Sequence, residues 1–153
     1  MKRFFVTLSL TIVIFGALIY AMPRNFDSYV ADISQDGIIY IYCRATELES
    51  IDMGNGKIVE CNAADFSTVL SKCQGVDGVS VRFNGTLSDV TRVVDMFGLT
   101  VVSSYELDGL YVTCGKSDKI APCVIIDGNV VNLQIAYKDG VVTVGSPLIL
   151  GSY

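Results

Sequence analysis

The residues of this chain that could do chemistry are cysteines and carboxylates, because histidine and tryptophan are both absent. Without an imidazole, no Ser-His-Asp or Cys-His nucleophile can be assembled within the chain, and no histidine can complete a common zinc set. The five cysteines are Cys43, Cys61, Cys73, Cys114 and Cys123; none form a C-x-x-C pair, and each sits within or beside an apolar run. They read as small buried hydrophobes or, in an oxidising compartment, as disulfide partners. An odd number leaves at least one thiol free or paired with another chain. Among possible bridges Cys114–Cys123 comes first, since it would close a short connection between two predicted strands. A reactive thiolate needs a cation or a helix N-terminus beside it. Cys61, just ahead of a predicted helix start, has the best such setting, but no basic residue adjoins it.

The carboxylates offer less. Glu47, Glu49 and Asp52 share a loop that ends at Gly54-Asn55-Gly56. They could gather a calcium ion or serve a hydrolase, yet the D-x-D-x-D-G pattern of a calcium loop is missing and a solvated loop is the default. Asp89 and Asp95 fall on or near the polar side of a predicted helix. Lys116 and Lys119 flank Asp118 in a loop. The glycines between Gly140 and Gly151 lack phosphate-loop spacing and are interrupted by Pro147. No candidate exceeds its reading as solvated charge, so the sequence names no catalytic, cofactor-binding or metal-ligating residue, and no cofactor is expected.

The elements that would position any site are clearer. Ile38 to Arg44 and Lys57 to Cys61 are rich in β-formers. Asn62 reads as a helix N-cap, with Phe66, Val69, Leu70 and Cys73 on one face and an end near Gly75. Val79, Val81 and Phe83 alternate with polar residues. Asn84-Gly85-Thr86 matches a glycosylation sequon and reads as a turn. Thr86 or Ser88 then caps a second helix, with Asp89 in its first turn, Val90, Val93, Val94 and Phe97 inward, and Gly98 as its stop. Thr100 to Leu107 and Leu110 to Cys114 form a hairpin across Asp108-Gly109. From Val124 onward three short strands follow, in which Asn132, Gln134 and Ala136 alternate with Val131, Leu133, Ile135 and Tyr137, giving one polar and one apolar face. Five Asp-Gly pairs, at 36, 77, 108, 127 and 139, lie between apolar runs, a tight-hairpin signature. The fold class is therefore α+β: a mostly antiparallel sheet with two amphipathic helices on one face.

The chain has 153 residues. Lys2 and Arg3 precede an uncharged stretch from Phe4 to Met22, long enough to cross a bilayer core of about 30 Å. Basic residues ahead of it hold the N-terminus in the cytoplasm and place the rest outside. The stretch reads as a signal anchor, or as a cleaved signal peptide with Ile19-Tyr20-Ala21 as its site. Residues 1–22 are thus the leader, 23–36 a tether with a helical turn near Tyr29 to Ile33, and 37–153 an extracytoplasmic domain. After the leader, nine basic side chains face sixteen acidic ones, a net charge of −7. Taken as a whole, such a surface does not attract nucleic-acid phosphates or anionic lipid headgroups.

The C-terminal half, from about Val79, resembles the YwmB-type proteins of spore-forming Firmicutes. Val131-Asn132-Leu133-Gln134-Ile135-Ala136 and Gly145-Ser146-Pro147-Leu148-Ile149 carry the resemblance, and the N-terminal segment fits it. It implies a TATA-box-binding-like fold, a curved antiparallel sheet backed by helices, in an extracytoplasmic protein linked to the envelope or to sporulation, with no DNA binding. The expectation is a membrane-tethered, non-catalytic domain that binds a protein or an envelope component, with a carboxylate hydrolase or calcium-binding domain as the alternative.

Overall fold

A computed structural model describes residues 24–150. The transmembrane or signal helix expected over Phe4 to Met22 lies outside the described residues. The chain begins with Arg24–Asn25 (β1), a 3-10 turn at Phe26–Tyr29 and one helical turn, Val30–Ile33 (α1). Ile38–Ala45 (β2), the two-residue Ile51–Asp52 (β3) and Lys57–Asn62 (β4) follow. A second 3-10 turn, Ala63–Asp65, leads into Phe66–Leu70 (α2). Then come Gln74–Asn84 (β5), Leu87–Phe97 (α3), Thr100–Leu107 (β6) and Leu110–Lys116 (β7). Ile120–Ala121 (β8), Val124–Ile126 (β9), Asn129–Val131 (β10), Leu133–Lys138 (β11) and Val141–Ser146 (β12) complete the described chain.

Eight strands form one antiparallel sheet in the order β3-β4-β2-β5-β12-β11-β7-β6. Register builds its core directly. Ile39 lies opposite Val81, Val81 opposite Val144, and Val144 opposite Ile135, so four strands contribute one continuous apolar row. All four side chains are fully buried, each contributing about 1.5–3 kcal/mol relative to exposure. Val90, Val93 and Phe97 of α3 pack on this face, with Phe66 of α2 beside them. In α3, the amide and hydroxyl of Thr86 donate to Asp89 Oδ2 at 2.8 and 3.1 Å, and Gly98 ends the helix at φ 55°. The fold is α+β, as expected, with few and short helices.

Asp108-Gly109, Asp127-Gly128 and Asp139-Gly140 have positive φ at both residues, 50° and 74°, 49° and 79°, 50° and 80°. That is the mirror-image turn which Asp-Gly favours and which matches strand twist. The other two pairs are not hairpin turns. Asp77-Gly78 lies inside β5, whose partners are β2 and β12 rather than its own continuation. Asp36-Gly37 leads into β2, where Gly37 is needed for space, since an added Cβ would meet Val81 Cγ1 at 2.9 Å.

Three further expectations are corrected. The segment 23–36 is no free tether from residue 24 onward: Phe26, Val30 and Ile33 are in the core, and the Phe26 and Tyr29 rings lie 5.9 and 5.1 Å from that of Phe97. Their i, i+4, i+7 spacing is an apolar helical stripe in an otherwise polar stretch. The helix expected from Asn62 to Gly75 is confined to Phe66–Leu70 after a 3-10 turn, Asn62 makes no side-chain cap bond, and Gly75 belongs to β5. Finally, Val131 to Tyr137 is not one alternating strand. It breaks at Asn132, which changes the parity: Val131 packs with Val112, Cys114 and Ala136 on the far face, while Leu133 and Ile135 join the main core.

Asn132 is 2% exposed. Its Oδ1 accepts from the Ser117 amide at 2.8 Å, and its Nδ2 donates to the carbonyls of Ser117 and Ile120 at 2.7 and 2.9 Å. Two carbonyls on one side and an amide on the other fix the orientation of the side-chain amide. The Ser117 hydroxyl donates to the Phe97 carbonyl at 2.6 Å, and Lys119 Nζ donates to the Met96 carbonyl at 2.6 Å. One buried amide thus fastens the 117–120 loop beneath the C-terminal end of α3, where carbonyls lack helical partners.

The far face of the sheet is covered only in part. The β9–β10 hairpin and the terminal segment supply Val124, Ile126, Leu148 and Ile149 against Val112, Cys114, Val131 and Ala136. The Leu150 amide donates to Ser80 Oγ at 2.7 Å and the Ile149 amide to Gln134 Oε1 at 3.0 Å, so the terminal segment straps one end of that face. The other end, around Arg82 and Lys138, lies beyond the strap.

Candidate functional site

The carboxylates considered for metal or hydrolase chemistry do not converge. Glu47, Glu49 and Asp52 are all exposed. Asp52 Oδ1 accepts the Gly54 amide at 2.7 Å, a local turn bond. Glu47 lines a shallow surface cavity with Lys72 and Gln74, and the other two do not. Among the described residues no group of three or more histidine, cysteine or acidic side chains is arranged to hold a metal ion. Asp89 serves the first turn of α3 and pairs with Arg92 at 3.5 Å. Its carboxyl is held below the usual range, first by the Thr86 amide and then by the Thr86 hydroxyl and Arg92, while partial burial opposes the shift. Asp95 is exposed on α3, and Lys116 bonds Asp118 at 2.7 Å.

All five cysteines are free thiols. The Cys114–Cys123 bridge, first among the possible ones, is not formed: Cys114 is buried on β7 and Cys123 is exposed. Cys61 does not have the setting of a reactive thiolate. Burial pushes its thiol up, and the nearby Asp65 and Glu60 push it further. Cys73 is pushed up to about 11, chiefly by burial and next by a hydrogen bond with Cys43. Both groups stay protonated at neutral pH, which suits packing and not attack.

What the fold does expose is a strand edge. The sheet ends on one side at β3, only two residues long, and on the other at β6, which has eight. Every residue of β6 is exposed, including Val101, Tyr105 and Leu107 at 48, 48 and 64%. Among the described residues β6 pairs only with β7. Its sequence, TVVSSYEL, carries one charge, Glu106, and neither Lys nor Pro. Soluble proteins usually blunt such an edge with charge, proline or shortness; here a bulge between Val101 and Ser103 is the one blunting device. The two-residue turn at Asp108-Gly109 makes Leu107 and Leu110 a hydrogen-bonded pair. By alternation, Glu106 and Ser104 then turn their backbone N–H and C=O groups outward. The hairpin and its turn follow from the local pattern around Asp108-Gly109. Its place at the edge of the sheet depends on the β11–β7 pairing, which no local pattern encodes.

Comparisons with protein families, with curated proteins and with solved structures found no match to this chain. The class it defines is therefore a structural one: an antiparallel eight-stranded sheet with short helices on one face and one long edge strand that is unpaired on its outer side among the described residues.

Proposed function

We propose that this chain is a membrane-tethered, extracytoplasmic, non-catalytic domain that binds a protein or envelope component presented in extended form along β6. The exposed, nearly uncharged, eight-residue edge carries this reading, because main-chain hydrogen bonds to such an edge give affinity and alternate side chains give selectivity. The apolar stretch from Phe4 to Met22 and the basic pair ahead of it support the tether and its orientation. The resemblance to the YwmB-type proteins supports the location. The hydrolase or calcium-binding alternative has no comparable support, since Glu47, Glu49 and Asp52 stand apart and exposed.

The test uses a photo-reactive residue at Val102, with an equivalent one at Ile51 on the opposite edge, in the full chain in native membranes. A discrete adduct from position 102 and none from position 51 is expected. Glu106→Pro, which blocks an outward N–H while leaving the β7 ladder intact, should abolish it. An adduct that survives Glu106→Pro in a folded chain refutes pairing along β6.

A further inference from the structure

On the sheet face away from α3, beyond the terminal strap, Arg82, Thr143, Lys138 and the exposed Asp139 line a cavity of about 310 Å³, with Leu110, Ala136 and Val141 as its apolar lining. Strand order brings them together. Arg82 on β5 lies opposite Thr143 on β12, Thr143 lies opposite Ala136 on β11, and Lys138 is two residues further along that strand. Residues in register across neighbouring strands, and two apart along one strand, share a face. Ala136 leaves the space between the two long side chains empty.

Three polar side chains here lack a partner. Arg82 and Lys138 are half-buried and make no hydrogen bond or ion pair among the described residues. Thr143 is 4% exposed, and its hydroxyl makes none either. This is no shortage of carboxylates, since the chain has 16 acidic and 11 basic side chains. Three exposed cations elsewhere do form ion pairs: Arg44 with Asp77 at 3.9 Å, Arg92 with Asp89 at 3.5 Å and Lys116 with Asp118 at 2.7 Å. Even Asp139, at the same cavity, forms no ion pair with Lys138. Partly desolvated cations without a counter-charge are unfavourable unless something else supplies one.

We infer that this cavity binds a phosphate group. The guanidinium fork, the ammonium and the threonine hydroxyl offer donors from three directions, which suits the oxygens of a tetrahedral anion. Leu110 and Ala136 offer an apolar wall for the substituent of a phosphate ester. The site is independent of what occupies β6. Its ligand is either a soluble phosphate or ester, or the headgroup of an anionic lipid, and the chemistry of capture is the same.

The experiment follows the Thr143 and Ala136 amide signals of the full chain in non-ionic detergent at constant ionic strength. One arm adds inorganic phosphate to about 20 mM, a range that covers millimolar affinity. The other dopes the micelles with phosphatidylglycerol, against phosphatidylcholine. Saturable shifts with phosphate identify a soluble ligand; shifts with phosphatidylglycerol alone identify a headgroup; either supports the site. Arg82→Gln and Lys138→Gln should each weaken binding about tenfold or more, as expected for loss of a charge-assisted hydrogen bond. Neither side chain holds a partner in the fold, and if one variant fails to fold the other decides. Lys72→Gln, an exposed cation elsewhere, should change nothing. Absence of saturable shifts in both arms, or equal weakening by Lys72→Gln, overturns the inference.

Discussion

Replacing Asn132 with alanine removes three side-chain hydrogen bonds at once and leaves the Ser117 amide and the carbonyls of Ser117 and Ile120 without that partner. At about 1 kcal/mol for each bond, the loss is about 3 kcal/mol. For a chain of this size that lowers the melting temperature by about 10 °C. Asparagine-to-aspartate at the same position is the sharper test. It keeps an acceptor for the Ser117 amide but turns an oxygen toward two carbonyls that now receive a donor at 2.7 and 2.9 Å. Burial and these carbonyls both disfavour the carboxylate, so the native pKa rises above the ordinary value of about 3.9. A raised native pKa means stability that is fully present below the unfolded pKa and lost as pH climbs through the native one. Asn132→Asp should therefore fall below Asn132→Ala near pH 8 and match or exceed it near about pH 4. Urea unfolding followed by tyrosine fluorescence reads both, as the chain has eight tyrosines and no tryptophan. A loss under about 0.5 kcal/mol for the alanine variant, or a pH-independent deficit for the aspartate variant, would refute the view that this amide holds the loop.

The remaining predictions concern the cap, the strap and the thiols. Asp89→Ala should cost about 1 kcal/mol at neutral pH by removing the acceptor of the Thr86 amide. Because the native carboxyl is depressed, that difference should persist above the ordinary carboxylate range and vanish as pH falls through the native value, in thermal melts across acidic pH. Gly145→Ala would drive a Cβ into the Leu148 carbonyl and to 2.6 Å from Ile149 Cα. It should cost about 1–3 kcal/mol and speed amide exchange at Ile149 and Leu150, whose bonds to Gln134 and Ser80 would stretch. In alkylation at mildly alkaline pH, exposed Cys123 should react well before Cys73, whose thiol is pushed up to about 11. Mass spectrometry of partly modified protein reads the order, and prior labelling of Cys73 would contradict its assigned burial.

Local pattern carried much of the fold. The hairpins at Asp108, Asp127 and Asp139 and the helix from Leu87 to Phe97 were legible because each is specified by neighbours in the chain. Asp77-Gly78 misled because the dipeptide promises a turn only when its flanking runs pair with each other, and here they pair outward. Asn132 misled because a polar residue in an alternating run looks solvent-facing; its burial is repaid by carbonyls 12 and 15 residues away. Phe26, Val30 and Ile33 do not stand out as core in the sequence because the polar residues between them dominate the composition. The cavity was not legible at all. Arg82 and Lys138 lie far apart in the chain and meet only because β12 inserts between β5 and β11.

The parallel pairing of Arg24 with Ile120 and Asn25 with Ala121 has a consequence for reach. Arg24 is already part of a paired strand, and in the sequence Pro23 alone stands between it and the apolar stretch that ends at Met22. If that stretch sits in the bilayer, the domain has no leash. On the tethering proposed above it would ride flush on the lipid, and a partner would have to come within a domain's breadth of the headgroups.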